Sequence, residues 1–300
     1  MLTAQIRRFA ETATSEAVKA APQIVRKPIP GIGRIIMASG SKGGIGKSTI
    51  AINTAAALVK NGATVGIFDA NIYAPSIARM AGTTSIIHEA NTEANFYPII
   101  AHGIETVSVA NVIDSESSLT WKSPYVAAVL GDFLKKALWS DLDYLIIDTP
   151  TGTGDIPMAL CTMFPVDGAL IVTTPDQLSA NTVIRCVDMF KRMPVPIVGV
   201  VQNMDGISHK ELSNERILSG TAIDQIAQKF QVDKLGSIPF DPKILMSCET
   251  GKPFFIEHPE SPHSKVFQNI AETIVKKLPK KKATEPARTI ENPPPKPKRV

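Results

Sequence analysis

The sequence predicts an α/β fold, a doubly wound, mostly parallel sheet with helices on both faces. Apolar, β-branched runs alternate with helical stretches through the middle of the chain. The runs lack polar alternation, as strands covered on both faces do. A glycine-rich stretch, "ASGSKGGIGKST", falls between the first run and the first helix. With 300 residues, 44% of them hydrophobic, the chain can bury one sizeable core.

"RIIMAS" is the first strand. "STIAINTAAALVKNG" follows as a helix, with Ser48 and Thr49 at its start, Ala and Leu inside, and Asn61-Gly62 as a stop. Further strands are "TVGIFDA", "ETVSVANV", "DYLIIDTP", "GALIVTTP", "IVGVVQNM" and "KLGSIPF". "YVAAVLGDFLKKALW" and "ANTVIRCVDMFKRM" are helices between them. Repeated βα units imply right-handed crossovers, and ligands then bind at the carboxyl ends of the strands. No internal repeat is present, and no apolar run is long enough to cross a bilayer as a helix.

The two ends differ from this body. Residues 1–26 form an extension in which Leu2, Ile6, Phe9, Ala10 and Ala13 share one side of a helix, with Arg7, Arg8 and Lys19 elsewhere. This reads as a mitochondrial presequence, with Arg7-x-Phe9-x-x-Thr12 resembling a matrix-processing site, or as a plain surface helix, which Glu11 and Glu16 favour. The expected location is accordingly the mitochondrial matrix or, alternatively, the cytoplasm. From Lys276 to Val300 nine Lys/Arg face two acids, a surplus of seven; the whole chain is +4, so the rest carries −3. Residues 27–278 are the expected domain, and 279–300 a disordered basic tail rich in Pro and Lys, either solvated or in contact with RNA, anionic lipid or an acidic partner. Three cysteines, Cys161, Cys186 and Cys248, lie far apart, which argues against a disulfide framework.

Gly43, Gly44, Ile45 and Gly46 sit where backbone N–H groups close around phosphate oxygens at a helix N-terminus. Lys47 is placed to reach β- and γ-phosphates, and Ser48 to ligate Mg²⁺, with Thr49 beside it. "DYLIIDTP" ends in Asp148, and "FDANIYAPS" begins its loop at Asp69; both carboxylates are candidate Mg²⁺ ligands, with Ser48. The expected cofactors are ATP and Mg²⁺.

The loop departs from the common phosphate-loop pattern: Ser41 stands where a glycine is required, and a second lysine, Lys42, precedes the glycines. K-G-G-x-G-K-S resembles the deviant Walker A motif of the MinD/ParA ATPase class. That resemblance implies that Lys42 touches phosphates held by another subunit, in a homodimer. "KPIPGIGRIIMASGSKGGIGKST", "LDYLIIDTPTGTGD", "ALIVTTPDQLSA" and "LGSIPFDPKILMSCETGKPF" narrow the resemblance to the Mrp/ApbC family of iron–sulfur carrier ATPases, which includes the mitochondrial complex I assembly factor. It spans about residues 27 to 275. By resemblance Asn203 reads the adenine, and the turn from Pro239 through Asp241 to Pro242 flanks it.

The departures from that family matter as much. Asn71 stands where the family has an Asp resembling the residue that orients the attacking water. An amide positions water without polarising it as an anion, so hydrolysis is expected to be slow or absent. The family's C-x-x-C after Met204 is missing; the chain reads "DGISHKELSNER", with His209 a single imidazole. By ligand count a bridging [4Fe–4S] cluster is doubtful. The expected role is a nucleotide-dependent assembly or maturation factor for a client that the sequence does not reveal. The alternatives are an iron–sulfur carrier with non-standard ligands, a structural subunit of a ribonucleoprotein particle, and a ParA-like positioning ATPase.

Overall fold

The computed structural model describes residues 26–40, 42–85, 87, 95–112, 123–152, 154–207 and 222–287. The presequence reading, Ser41, His209 and the end of the basic tail lie outside the described residues.

Among the described residues eight strands form one sheet: β1 (Ile32–Ser39), β2 (Val65–Asp69), β3 (Ile99–Ala101), β4 (Ile104–Ser108), β5 (Leu142–Asp148), β6 (Gly168–Thr173), β7 (Ile197–Ile207) and β8 (Lys234–Phe240). Their order is β3-β4-β2-β5-β1-β6-β7-β8. Every neighbouring pair is parallel except β3–β4, which is antiparallel at the edge. Helices α1 (Lys47–Lys60), α2 (Ile77–Met80), α3 (Ser123–Lys136), α4 (Asp155–Met163), α5 (Gln177–Arg192), α6 (Ala222–Phe230), α7 (Pro242–Thr250), α8 (Phe254–Glu257) and α9 (Pro262–Lys277) connect them. The expected α/β architecture is the observed one.

Two apolar layers fix the sandwich. On one face Leu130 and Leu134 of α3, Leu160 of α4, Val183 and Phe190 of α5 and Ile226 of α6 pack on the sheet. On the other, Ile50 and Leu58 of α1, Phe254 of α8 and Phe267 and Ile270 of α9 do so. The central strands are buried on both faces, which is why their sequences read as unbroken apolar runs. Helix α1 stops at Asn61, followed by Gly62 at φ 75°, a left-handed conformation that glycine adopts without strain.

The described structure continues past residue 278, into the segment expected to be disordered. Residues 278–287 form a strap across the amino-terminal ends of β1 and β5. Tyr144 Oη donates to the Leu278 carbonyl at 2.8 Å, Arg34 Nε to the Pro279 carbonyl at 3.1 Å, and Gly31 N to the Glu285 carbonyl at 2.9 Å. Lys280 Nζ pairs with Asp143 Oδ2 at 2.9 Å. The strap crosses Gly33 so closely that a Cβ there would stand 1.9 Å from the Lys281 carbonyl oxygen. Composition signals disorder here because little apolar surface is available; the segment is held instead by its own carbonyls and one lysine.

Candidate functional site

The phosphate loop leaves the carboxyl end of β1 and enters α1. Gly44 and Gly46 have φ of 74° and 83°, and nothing approaches within 4 Å of where a Cβ on Gly44 would stand. The loop is therefore an open backbone cradle at a helix N-terminus. Lys47 is buried; burial lowers its pKa, and the Asp148 charge opposes that shift. Its Nζ donates to the Lys42 carbonyl at 3.4 Å.

Parallel pairing of β2 with β5 sets Asp69 directly beside Asp148, both fully buried. Burial pushes both carboxyls up, and for Asp148 the neighbouring Asp69 charge adds to it. Their surroundings differ. Asp69 accepts hydrogen bonds from Asn71 N (3.0 Å), Ser76 N (2.9 Å), Ile77 N (3.1 Å) and Ser108 Oγ (3.1 Å). This carboxylate anchors the loop from 70 to 77, and most of its acceptor capacity is spent inside the protein. Asp148 accepts Ser48 Oγ on Oδ2 at 2.5 Å, while its Oδ1 is buried without a partner. An orphaned carboxylate oxygen beside a hydroxyl at a phosphate cradle has the chemistry of an incomplete hard-cation site, so the residues fit Mg²⁺.

Asn71 lies in the loop after β2 with its amide tied to that same loop: Nδ2 donates to the Ala74 carbonyl at 3.0 Å. Asn203, in the second half of β7, donates from Nδ2 to the Ile45 carbonyl at 2.9 Å and lies against Gly46. The residue expected to read a base is thus tied to the loop expected to hold phosphates. Asp241 has structural duties: Oδ1 caps α7 through Lys243 N at 2.8 Å, and Oδ2 meets His263 Nε2 at 3.2 Å. Pro239 precedes it in β8.

The structure adds a residue that sequence reading passed over. Asp176 caps α5 at the end of β6, and Lys42 Nζ lies 3.5 Å from its Oδ1. Burial opposes ionisation, but the Thr174 and Ser179 hydroxyls, the Ser179 amide and the Lys42 charge together hold this carboxyl below the usual range. A cavity of about 360 Å³, lined by Lys42, Ile45, Pro175, Asp176 and Met204, opens there. The signal was "TTPDQLSA", in which an Asp directly before a helical run is a capping residue.

The cysteines do not converge. Cys161 touches Met37 and Cys186 touches Ser39, both buried; burial pushes these thiols up to about 12 and about 11. Cys248 lies near Thr49, at 3.7 Å. Among the described residues no group of three His, Cys, Asp or Glu is placed to hold a metal ion.

The family model described as NUBPL iron-transfer P-loop NTPase (ParA) matches residues 31–275. The chain belongs to this family. Among its relatives, an iron–sulfur cluster carrier protein of Deinococcus radiodurans is 36% identical over 246 residues, covering 82% of this chain and 70% of that protein. An iron–sulfur cluster transfer protein NUBPL of Dictyostelium discoideum is 33% identical, covering 86% and 80%. A nucleotide-binding protein of Archaeoglobus fulgidus, solved with ADP, superposes with TM-score 0.67 at 28% identity, over 79% of this chain and 93% of that one. A Pyrococcus furiosus cell division ATPase MinD superposes with TM-score 0.63 at 24% identity and attests the fold alone. This NUBPL-type chain is therefore a nucleotide-binding P-loop NTPase of the iron–sulfur carrier and transfer family.

Proposed function

We propose that the chain is an ATP- and Mg²⁺-dependent homodimeric assembly or maturation factor that hydrolyses ATP slowly or not at all and bridges no iron–sulfur cluster of the usual kind. The observation that carries the ATP and Mg²⁺ part is the open glycine cradle beside the unpartnered Asp148 Oδ1. The loop amides and the Lys47 ammonium would bind phosphate oxygens, and Ser48 and Asp148 would hold the metal. Mg²⁺, when bound, neutralises charge on the β- and γ-phosphates. Asp69 acts by fixing the loop that carries Asn71 next to that site. Asn203, held by the Ile45 carbonyl, links base to phosphates.

The homodimer draws support from exposed apolar surface. Eight large apolar side chains are exposed among the described residues, and six lie within about six residues of the carboxyl end of a strand, Tyr73, Val112, Leu178, Phe240, Leu245 and Met246. Apolar exposure gathered on the phosphate-loop face suits contact with a second copy that brings Lys42 in trans. The [4Fe–4S] group does not fit the residues present: the chain has three cysteines and no C-x-x-C, two of the thiols are buried and held protonated, and His209 is a single imidazole. The client is a protein or large assembly engaged through the nucleotide state, in the mitochondrial matrix if the Arg7-x-Phe9-x-x-Thr12 motif is processed.

ATP–Mg²⁺ titrated by calorimetry against wild type and Lys47→Ala, with sedimentation of both, tests this. Wild type binds and dimerises. The variant loses charge-assisted contacts of ~1.5–3 kcal/mol each and binds at least tenfold more weakly. Equal affinities would remove the site.

A further inference from the structure

A second cavity, of about 470 Å³, lies at the amino-terminal pole of the sheet, among the starts of β2, β4 and β5 and away from the phosphate loop. Its walls are firmly built. β3 and β4 join through His102 and Gly103, at φ 54° and 78°, the paired left-handed geometry of a tight hairpin turn. His102 Nε2 meets the Gly251 carbonyl at 3.0 Å, which fixes that turn against the rest of the fold. Val65 and Leu142 line the cavity and are buried, whereas Ile100, also lining it, is 36% exposed at the sheet edge. Glu105 brings a carboxylate to the same space. Its Oε2 accepts Ser140 N at 3.1 Å, and a carboxylate serves more than one donor.

The strap at residues 278–287 ends beside this cavity. Lys280 pairs with Asp143 on β5, and its Nζ also donates to the Gly62 carbonyl at 2.7 Å, just before β2. A Cβ on Gly31 would stand 3.2 Å from Ala287 Cα and 2.7 Å from the Ser140 carbonyl oxygen, so Ala287 lies next to a residue of the cavity rim. The chain continues with Arg288, Thr289 and Ile290. In an extended segment the first and third side chains point to the same side. A guanidinium and, two residues on, a β-branched apolar group match the Glu105 carboxylate and the apolar wall of Val65, Ile100 and Leu142. Prolines aside, Ile290 is the one large apolar side chain between Ala287 and Val300.

We infer that this cavity is the docking site of the chain's own residues 288–290, with Arg288 on Glu105 and Ile290 against Ile100. The pairing repeats one step further along the sheet what Lys280 and Asp143 already do. A tethered segment has an effective concentration in the millimolar range, so it fills the site ahead of a foreign peptide of equal fit. Docking turns the strap into an anchor. The proline run at 293–295 and the cations Lys296, Lys298 and Arg299 follow it, held at the pole opposite the phosphate loop rather than near the nucleotide they would otherwise attract.

The test reads coverage of Ile100 in the folded chain. Ile100→Cys, in a Cys248→Ser background, is labelled with maleimide in the full chain and in a chain ending at residue 287, with circular dichroism confirming the fold of each. Burying one apolar side chain, less the ordering of three residues, predicts labelling about tenfold slower in the full chain. Arg288→Glu removes an ion pair and sets like charges together, so labelling should speed up by at least about 2- to 5-fold. Combining Arg288→Glu with Glu105→Arg should restore most of the protection. Equal labelling of the long and short chains overturns the proposal. So does protection that survives truncation at 287, since residues 86–94 or a second copy then cover Ile100; loss of that protection on dilution would mark the second copy. Protection indifferent to Arg288→Glu, or not regained in the charge swap, overturns the assignment to residues 288–290.

Discussion

Replacing Asn71 by Asp restores a carboxylate at a position where only an amide now faces the loop. The structure supplies the cost. Asn71 Nδ2 donates to the Ala74 carbonyl, and a carboxylate cannot, so one hydrogen bond of about 1 kcal/mol is lost and the new group turns away from Ala74. The loop keeps its other anchors: Ala74 N to the Asn71 carbonyl at 3.3 Å, and the amides of residues 71, 76 and 77 on Asp69. Losing the staple therefore releases the side chain without unmooring the segment. If the missing negative charge limits turnover, a preorganised carboxylate recovers ~1.4 kcal/mol or more of barrier, ~10-fold in rate. The assay is single-turnover ATP hydrolysis by wild type, Asn71→Asp, and Asn71→Asp with Lys42→Ala, each saturated with ATP–Mg²⁺. The expected order is Asn71→Asp fastest, with ATP affinity near wild type and the gain lost without Lys42. An Asn71→Asp enzyme no faster than wild type refutes the reasoning, and so does a fast wild type, since another group would then be orienting the water.

Gly33→Ala places a methyl group against the Lys281 carbonyl and must displace the strap. Overpacking of this sort costs ~1–3 kcal/mol, a Tm lower by ~3–10 °C, and the cost shrinks in a chain ending at residue 278, where only the Leu142 carbonyl, 3.1 Å from the new Cβ, still crowds it. Anaerobic treatment with iron and sulfide leaves no stoichiometric cluster by absorbance and iron analysis; a cluster that disappears in Cys248→Ser would overturn the ligand count. Maleimide labels Cys248 before Cys161 and Cys186 in the folded chain, because the latter two are buried and Cys248 is only partly so. Equal labelling rates would contradict that burial.

The central strands were legible because burial on both faces removes polar residues from them. "KLGSIPF" matches β8 end to end, and "GALIVTTP" exceeds β6 by only two residues. Strand β3 was not legible. Three residues at an antiparallel edge, one of them the exposed Ile100, carry too little pattern to stand out. The phosphate loop could be read because its chemistry demands particular residues at fixed spacing. The partners of those residues could not. That Asp69 serves four donors while Asp148 keeps one oxygen unpartnered depends on how the loop from 70 to 77 returns over β2, and sequence spacing says nothing of that. Likewise Asn71 as a staple and Asp176 as a counter-ion arise from tertiary proximity, although the capping role of Asp176 was open to view.

The strap also decides where the described residues end. Lys27 N bonds to the carbonyl of Met163, at the far end of α4, and Gly31 N bonds to Glu285. Both described ends therefore leave from the pole of the sheet opposite the phosphate loop. Two copies meeting loop to loop would carry all four ends outward, at the poles of the pair. A fluorophore or affinity tag placed at the described ends would stand away from the seam of such a pair, one at each of its two outer poles.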